Sequence, residues 1–288
     1  MIAVVGRPNV GKSSLVNRLV GFKVSIVAPK PQTTRQHVRG VLHVDEDELV
    51  FVDTPGLHRA RRSALNRYMN DAATSALGDV DLILHVVDAQ RQTAEDAAVT
   101  ARLADTTVPV LLVINKVDRV VPRSALLPLI RDLAARRDYA AVVPVSATRG
   151  DNCDALCAEL RARLPEGPWL FEPDQVSDRR LDFRVVEAVR EKLILLLAQE
   201  LPYATTVTLE SLETEGALLR ASAVIWVERE GQKKIVIGEG GQTLKRIGSA
   251  ARHEIEAQVG QRVFLKLWVR VKRDWTDDPA ALKGFGYA

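Results

Sequence analysis

Gly6-Arg7-Pro8-Asn9-Val10-Gly11-Lys12-Ser13 constrains this chain more than any other stretch. It has the spacing G-x-x-x-x-G-K-[ST]. Its glycines let consecutive backbone N–H groups curl round phosphate oxygens. The helix that follows turns its positive N-terminal end toward the same anion. The context fits, because Ile2-Ala3-Val4-Val5 reads as a buried strand and Ser13 to Leu19 as a helix. In such a site the segment from Gly6 through Ser13 and Ser14 surrounds the phosphates. Lys12 reaches the β- and γ-phosphates, and the Ser13 hydroxyl binds Mg²⁺. The alternative, a glycine-rich turn that matches by chance, loses ground with each further motif.

Three of these follow in order, each after an apolar run. Asp53-Thr54-Pro55-Gly56 follows Leu49-Val50-Phe51-Val52. An Asp at a strand's carboxyl end is where Mg²⁺ is held, and the Gly56 N–H is placed to sense a γ-phosphate. Asn115-Lys116-Val117-Asp118 follows Val110 to Ile114. The Asp118 carboxylate accepts from guanine N1–H and the 2-amino group, a donor pair that adenine lacks. Lys116 lies along the purine, and Asn115 ties this loop to the first. Ser146-Ala147-Thr148 follows Ala141 to Val145. Its Ala147 N–H points at guanine O6. The set selects GTP and GDP over adenine nucleotides.

Pro31-Gln32-Thr33-Thr34-Arg35 stands between the first helix and Asp53. A threonine in such a loop completes the Mg²⁺ shell when the γ-phosphate is present. Thr34 is the first choice and Thr33 a near equal, so the metal set reads Ser13, Thr34 and Asp53. Leu57 stands just after Gly56, where a Ras-type template has a glutamine that orients water. Leucine cannot hydrogen-bond water, so another group must position it.

Residues 1–165 resemble a translation-factor-class small GTPase of the Era family. That family's GRPNVGKS, QTTR, DTPGLH and NKVD stand here as Gly6–Ser13, Gln32–Arg35, Asp53–His58 and Asn115–Asp118. Thr148 replaces the more usual Lys of the last loop. The resemblance implies that Asn9 helps to hold a monovalent cation, K⁺, acting like an arginine finger. Lys12, Thr34, Gly56 and Asn9 are then the catalytic set, with intrinsic hydrolysis on the order of 10⁻⁴ to 10⁻² per second.

The first domain alternates strands and helices. Strands are expected at Ile2–Val5, Val38–Val44, Glu48–Val52, Leu82–Val87, Val110–Ile114 and Ala141–Val145. Asp45-Glu46-Asp47 is too short for a crossover, so the second and third strands should be antiparallel. The expected fold is α/β: a P-loop GTPase with a doubly wound, mostly parallel sheet, followed by a smaller α+β domain. Domain limits are expected at 1–165, with a Pro-containing linker at 166–180 and a second domain at 181–288. Cys153 and Cys157 fit no metal or redox pattern and suit a reducing cytosol. No signal-peptide pattern precedes the first strand, a few residues are expected before Met1, and no apolar run approaches the roughly 20 residues of a membrane span.

In the second domain, a helix from about Asp182 to Glu200 is expected to precede strands at Thr205–Leu212 and Ala217–Glu230. Glu230 to Lys233 reads as a turn and Lys234 to Ile237 as an apolar run. A helix from about Gln242 to Val259, a strand over Arg262 to Val271 and a short helix in the tail complete the pattern. Gly238-Glu239-Gly240-Gly241 joins the apolar run to the helix. The stretch Val236 to Gly248 resembles the V-I-G-x-x-G-x-x-I-K-x-I-G core of type II KH domains, whose GxxG loop clamps single-stranded RNA. Glu239 departs from that pattern, since a carboxylate weakens phosphate contact. Lys245, Arg246 and Arg252 offset it.

Net charge is only +3, but residues 233–273 carry ten Lys/Arg against three Asp/Glu. Strand alternation puts Phe264, Lys266, Trp268, Arg270 and Lys272 on one face of the last strand. Aromatics interleaved with cations suit base stacking and phosphate attraction; the plain alternative is a solvated face with its aromatics packed under the tail. With Lys234, the GxxG residues, Lys245, Arg246 and Arg252, the set Lys266, Trp268, Arg270 and Lys272 forms the expected RNA surface.

Era resemblance implies a cytoplasmic monomer that binds the 3′ end of 16S rRNA and the 30S subunit in ribosome biogenesis. It allows weak peripheral association with the inner face of the cell membrane. Two other classes compete: an RNA adaptor with negligible turnover, and a membrane-surface GTPase. The basic segment ends on a strand rather than an amphipathic helix, which argues against lipid as the main partner.

Overall fold

The computed structural model describes residues 1–30, 32–56, 63–198 and 200–287. They divide into two compact units. Met1–Ser25, Thr34–Arg61 and Met69–Asp178 form the first; Ile26–Thr33, Arg62–Tyr68 and Arg179–Ala288 form the second.

The first unit is built on β1 (Ile2–Val5), β2 (Val38–Val44), β3 (Asp47–Asp53), β4 (Leu82–Asp88), β5 (Val110–Asn115) and β6 (Ala141–Pro144). Their order is β2-β3-β1-β4-β5-β6. Neighbours run parallel, except that β2 and β3 are antiparallel, as the short connection requires. Every residue of β1, β4 and β5 is buried, which explains their apolar runs without alternation: both faces are covered. Helices α1 (Lys12–Val20), α2 (Ala64–Ser75), α3 (Ala94–Arg102) and α4 (Leu126–Ala134) connect the strands, and α5 (Cys153–Arg161) follows β6. On one face Ala3, Val5, Ile83 and Val110 pack with Ala73 of α2 and Val99 of α3. Farther along the same face of β5, Leu112 and Ile114 meet Leu133 of α4. The carboxyl ends of β1, β3, β4 and β5 all open on one edge, and the expected nucleotide motifs follow them.

The stretch expected as a linker is not a free tether. The Trp169 indole donates to the Glu46 carbonyl at 2.9 Å. The N–H groups of Leu170 and Phe171 both donate to the Glu48 carboxylate at 2.9 Å. Val41 N–H donates to the Val176 carbonyl at 3.0 Å, and Ser177 bridges Gly40. The segment thus covers the exposed edge of β2, one way a sheet edge is protected from other chains.

The second unit holds α6 (Leu181–Leu196), β7 (Thr205–Glu215), β8 (Leu218–Val227), α7 (Glu230–Ile237), α8 (Gln242–Val259), β9 (Arg262–Val271) and α9 (Pro279–Gly284). Its sheet runs β7-β8-β9, the first pair antiparallel and the second parallel. The expected turn at Glu230–Lys233 is instead the first turn of α7. The Gln232 side-chain oxygen accepts the N–H groups of Glu228 and Arg229 at 2.8 and 3.0 Å, which caps a helix start that Gly231 had masked. The unit's core joins Val189 and Leu193 of α6, Ala223 and Ile225 of β8, Val236 of α7, and Ile247 and Ala251 of α8.

Two segments upstream in sequence group with this unit for specific reasons. Val27 N–H donates to the Glu191 carboxylate at 3.0 Å, and the Lys30 ammonium donates to the Ile194 carbonyl at 2.7 Å. The buried Arg190 guanidinium donates to the Thr33 carbonyl and to Glu187. Ala64 N–H donates to Asp277 at 3.1 Å.

Replacing Ile247, fully buried between α8 and the sheet, by alanine should cost roughly 2–5 kcal/mol. Urea unfolding of the Ile247→Ala protein, compared with the parent, checks this.

Candidate nucleotide site and nucleic-acid surface

Residues from three places in the sequence converge at the start of α1. The Ser13 hydroxyl donates to Asp53 at 2.7 Å and lies 3.0 Å from the Thr34 hydroxyl. Thr34 donates to the same Asp53 oxygen at 3.2 Å. The other carboxylate oxygen of Asp53 is buried with no hydrogen-bond partner among the described residues. Burial pushes the Asp53 carboxyl above its ordinary range, against the pull of Lys12 and these hydroxyls. Two hydroxyls, a buried carboxylate and an orphaned oxygen fit a small, hard divalent cation such as Mg²⁺. Between the two threonines, the structure puts the Thr34 hydroxyl here; Thr33 contributes its carbonyl to Arg190 in the second unit.

Lys12 is buried and donates to the carbonyls of Gly6 and Arg7 at 3.1 and 3.2 Å. Burial lowers its pKa to about 8, despite the opposing attraction of Asp53. A phosphate beside it would offset that penalty and replace the two carbonyls as its partner. Arg7 was expected among the nucleotide-binding residues. Its guanidinium turns away, onto Asp96 at 2.8 and 3.0 Å and onto the carbonyls of Pro8 and Arg91, so only its backbone faces the loop. Gly56 approaches so closely that an added Cβ would stand 2.7 Å from the Pro8 ring. Asn9 is exposed, with a left-handed φ of 64°, at the crest of the loop. Leu57 and His58 lie outside the described residues.

The base-selecting end is knotted by Asn115. Its amide nitrogen donates to the Val10 carbonyl at 2.9 Å. Its oxygen accepts from the N–H groups of Lys116 at 2.8 Å and Ala147 at 3.1 Å. Gly11 must be glycine here: its φ is 98°, and a Cβ would fall 2.4 Å from the Asn115 nitrogen. Asp118 accepts from the Ser146 hydroxyl at 2.7 Å. The expected orientation of Ala147 needs correcting, because its N–H donates to the Asn115 side-chain oxygen. Sequence reading also missed Asp88, which receives Lys116 at 2.6 Å while the Asn9 carbonyl accepts from the same ammonium. Asp88 ends β4 as Asp53 ends β3, and that shared position was the available signal. Arg18, considered below, was missed too.

In the second unit, Gly238, Gly240 and Gly241 all take positive φ (73°, 54° and 79°) between α7 and α8. At Gly238 a Cβ would collide with Thr243 Oγ1 at 2.3 Å. Lys234 and Glu239 are exposed beside this loop, as are Lys245 and Arg246 on the first turns of α8. Arg252 turns to Glu256 instead: its Nη1 donates to both carboxylate oxygens, at 2.8 and 2.9 Å.

The expected single RNA surface divides in two. Val263, Leu265, Leu267 and Val269 of β9 pack toward α7 and α8, with Val236, Ile247 and Ile255. Alternation therefore puts Phe264, Lys266, Trp268 and Arg270 on the opposite side of the sheet from those helices. Phe264 and Trp268 are 50% and 45% exposed, so the tail does not cover them; it packs Phe285 on Trp226 and Trp275 instead. The Lys266 ammonium sits 4.6 Å from the centre of the Trp268 ring. Arg270 pairs with Glu210 at 2.9 Å, and Lys272 lies 3.8 Å from Asp278.

Comparison with known proteins supports both units. Residues 1–116 match the family model described as a 50S ribosome-binding GTPase, and residues 200–276 match the KH domain model. The GTPase Era of Stenotrophomonas maltophilia is 51% identical over 286 residues, covering 99% of this chain and 96% of the relative. GTPase Era of Xanthomonas oryzae pv. oryzae is 52% identical over the same share of both chains. Among solved structures, Era in complex with MgGDPNP and nucleotides 1506–1542 of 16S ribosomal RNA matches with a TM-score of 0.96 and 38% identity, over 100% of this chain and 98% of that one. A variant of Aquifex aeolicus Era bound to GDP·AlF4⁻ matches equally well. With its nucleotide motifs gathered on one sheet edge and relatives more than half identical along its whole length, the chain belongs to the Era family of GTPases.

Proposed function

We propose that this GTPase is a switch that binds single-stranded RNA, the 3′ end of 16S rRNA, during assembly of the small ribosomal subunit. Residues 1–165 act as the nucleotide domain, and residues 181–288 as the RNA-binding domain. The observation that carries this reading is the Gly238–Gly241 loop, raised between two helices with Lys234, Lys245 and Arg246 exposed around it. Such a loop suits an RNA backbone, and Glu239 tempers the attraction. The bound RNA in the similar Era structure supports the choice of sequence. The partner is then the 30S subunit. Among the described residues no helix is long and apolar enough to cross a membrane.

In the nucleotide site, Ser13, Thr34 and Asp53 would hold Mg²⁺, which when bound would draw charge from the β- and γ-phosphates. The Gly6–Ser14 backbone and Lys12 hold the phosphates. Asp118 selects guanine by accepting from N1–H and the 2-amino group. The Thr34 hydroxyl and the Gly56 N–H register the γ-phosphate. Asn9 helps to hold K⁺, whose positive charge would assist hydrolysis as an arginine finger does. Thr33 and Thr34 supply the means of gating. The Thr34 hydroxyl belongs to the metal cluster and the Thr33 carbonyl is held by Arg190 in the second unit, so one peptide bond joins the two responses.

Binding of an oligonucleotide matching the 16S 3′ end, with a scrambled control, should be measured with GDP and with a non-hydrolysable GTP analogue. Tighter, sequence-selective binding with the analogue is expected, by roughly 5- to 150-fold, and RNA must raise analogue affinity by the same factor. Equal, salt-sensitive binding of both oligonucleotides would leave the ribosomal reading without support. Turnover in K⁺ should exceed that in Na⁺ at equal ionic strength. Equal rates in the two salts would remove Asn9 from its cation-holding role.

A further inference from the structure

Arg18 lies on α1, outside every motif that marks the nucleotide site. Its Nε donates to the Ala147 carbonyl at 3.0 Å, and its Nη2 to the Thr148 carbonyl at 2.7 Å. The planar guanidinium thus takes two successive carbonyls of the last loop, a two-pronged contact that a lysine cannot reproduce. Gly150 lies against the same group, and a Cβ there would stand 3.8 Å from it. In a trans peptide the C=O and N–H point in opposite directions. Fixing the Ala147 carbonyl on Arg18 therefore turns the Thr148 N–H away from α1. On the loop's other flank the Ala147 N–H meets Asn115, and the Ser146 hydroxyl meets Asp118.

We propose that Arg18 is a positioning residue for base recognition, holding the Ser146–Thr148 loop so that its Thr148 N–H faces guanine O6. This rests on the assignment of that loop to the base. Ser13 and Arg18 ride on one helix, about 8 Å apart along its axis at 1.5 Å per residue. The phosphate end and the base end of the site are then set by one rigid element. Thr148 stands where the loop would more usually carry its own lysine, and Arg18 supplies the cation from beneath.

The test uses three diphosphates: GDP, inosine diphosphate, which keeps O6 and N1–H but lacks the 2-amino group, and 2-aminopurine riboside diphosphate, which lacks O6 and with it the N1–H. Kd and dissociation rate are measured for the parent, Arg18→Met and Arg18→Lys. Methionine keeps an unbranched apolar stem of similar reach without the donors, so the fold is spared. Arg18→Met should weaken GDP and inosine diphosphate alike, about three- to tenfold, and the 2-aminopurine nucleotide less than twofold. Arg18→Lys should fall between, since one ammonium can serve only part of the pair. Equal losses for all three nucleotides, or no loss for any, would overturn the role of Arg18. If the parent itself fails to prefer GDP over the 2-aminopurine nucleotide, the assignment of the loop to the base fails instead.

Discussion

One buried side chain sets the geometry on which the nucleotide site depends. Asn115 is 2% exposed, and its amide binds the Val10 carbonyl, the Lys116 N–H and the Ala147 N–H. These belong to the phosphate loop, the base-selecting loop and the last loop. No two of them are close in sequence, and only Lys116 is next to Asn115 itself. A parallel sheet brings their strands side by side, but strand pairing alone leaves loops free to move. A buried amide is costly when any of its bonds is missing, so it fixes the three loops together or destabilises the site. The left-handed backbone of Gly11 exists to let Asn115 come this near.

A second cluster faces the first across the phosphate loop. The Ser13 and Thr34 hydroxyls share one Asp53 oxygen, while the other has no hydrogen-bond partner among the described residues. Burial works against the charge on both Asp53 and Lys12. Neither is comfortable without a cation for the one and an anion for the other. On the proposed reading, a bound metal–phosphate pair would relieve both, and the loop that carries Thr34 would register whether that pair is complete.

The nucleotide half was legible because each motif is short, continuous and set at a strand end, where the chain order alone fixes what meets. The antiparallel β2–β3 pair followed from a connection too short to cross over. Other features depend on contacts that span the sequence, and the reading failed there. Gly231 signalled a turn, yet Gln232 caps a helix through residues on its other side. The proline-bearing stretch after Leu164 looked like a tether because its pairing with β2 is made by backbone and by Glu48. Nor could the sequence show that Asp96, far along the chain, takes the Arg7 guanidinium and leaves its backbone to the loop. The face of β9 was read correctly by alternation, but one strand cannot tell which side the helices will cover. Arg252 pairs with Glu256, which stands four residues on, the spacing of a helical ion pair that the sequence does show.

The account rests most heavily on Asn115 as the tie between the phosphate and base ends of the site. The most direct measurement is GDP and ADP binding to Asn115→Ala, with unfolding followed in parallel to establish that the protein remains folded. The account predicts that GDP affinity falls on the order of 100-fold and that the preference for GDP over ADP shrinks with it, because the Asp118 and Ala147 loops lose their anchor. A folded variant that keeps both its GDP affinity and its preference over ADP would contradict it.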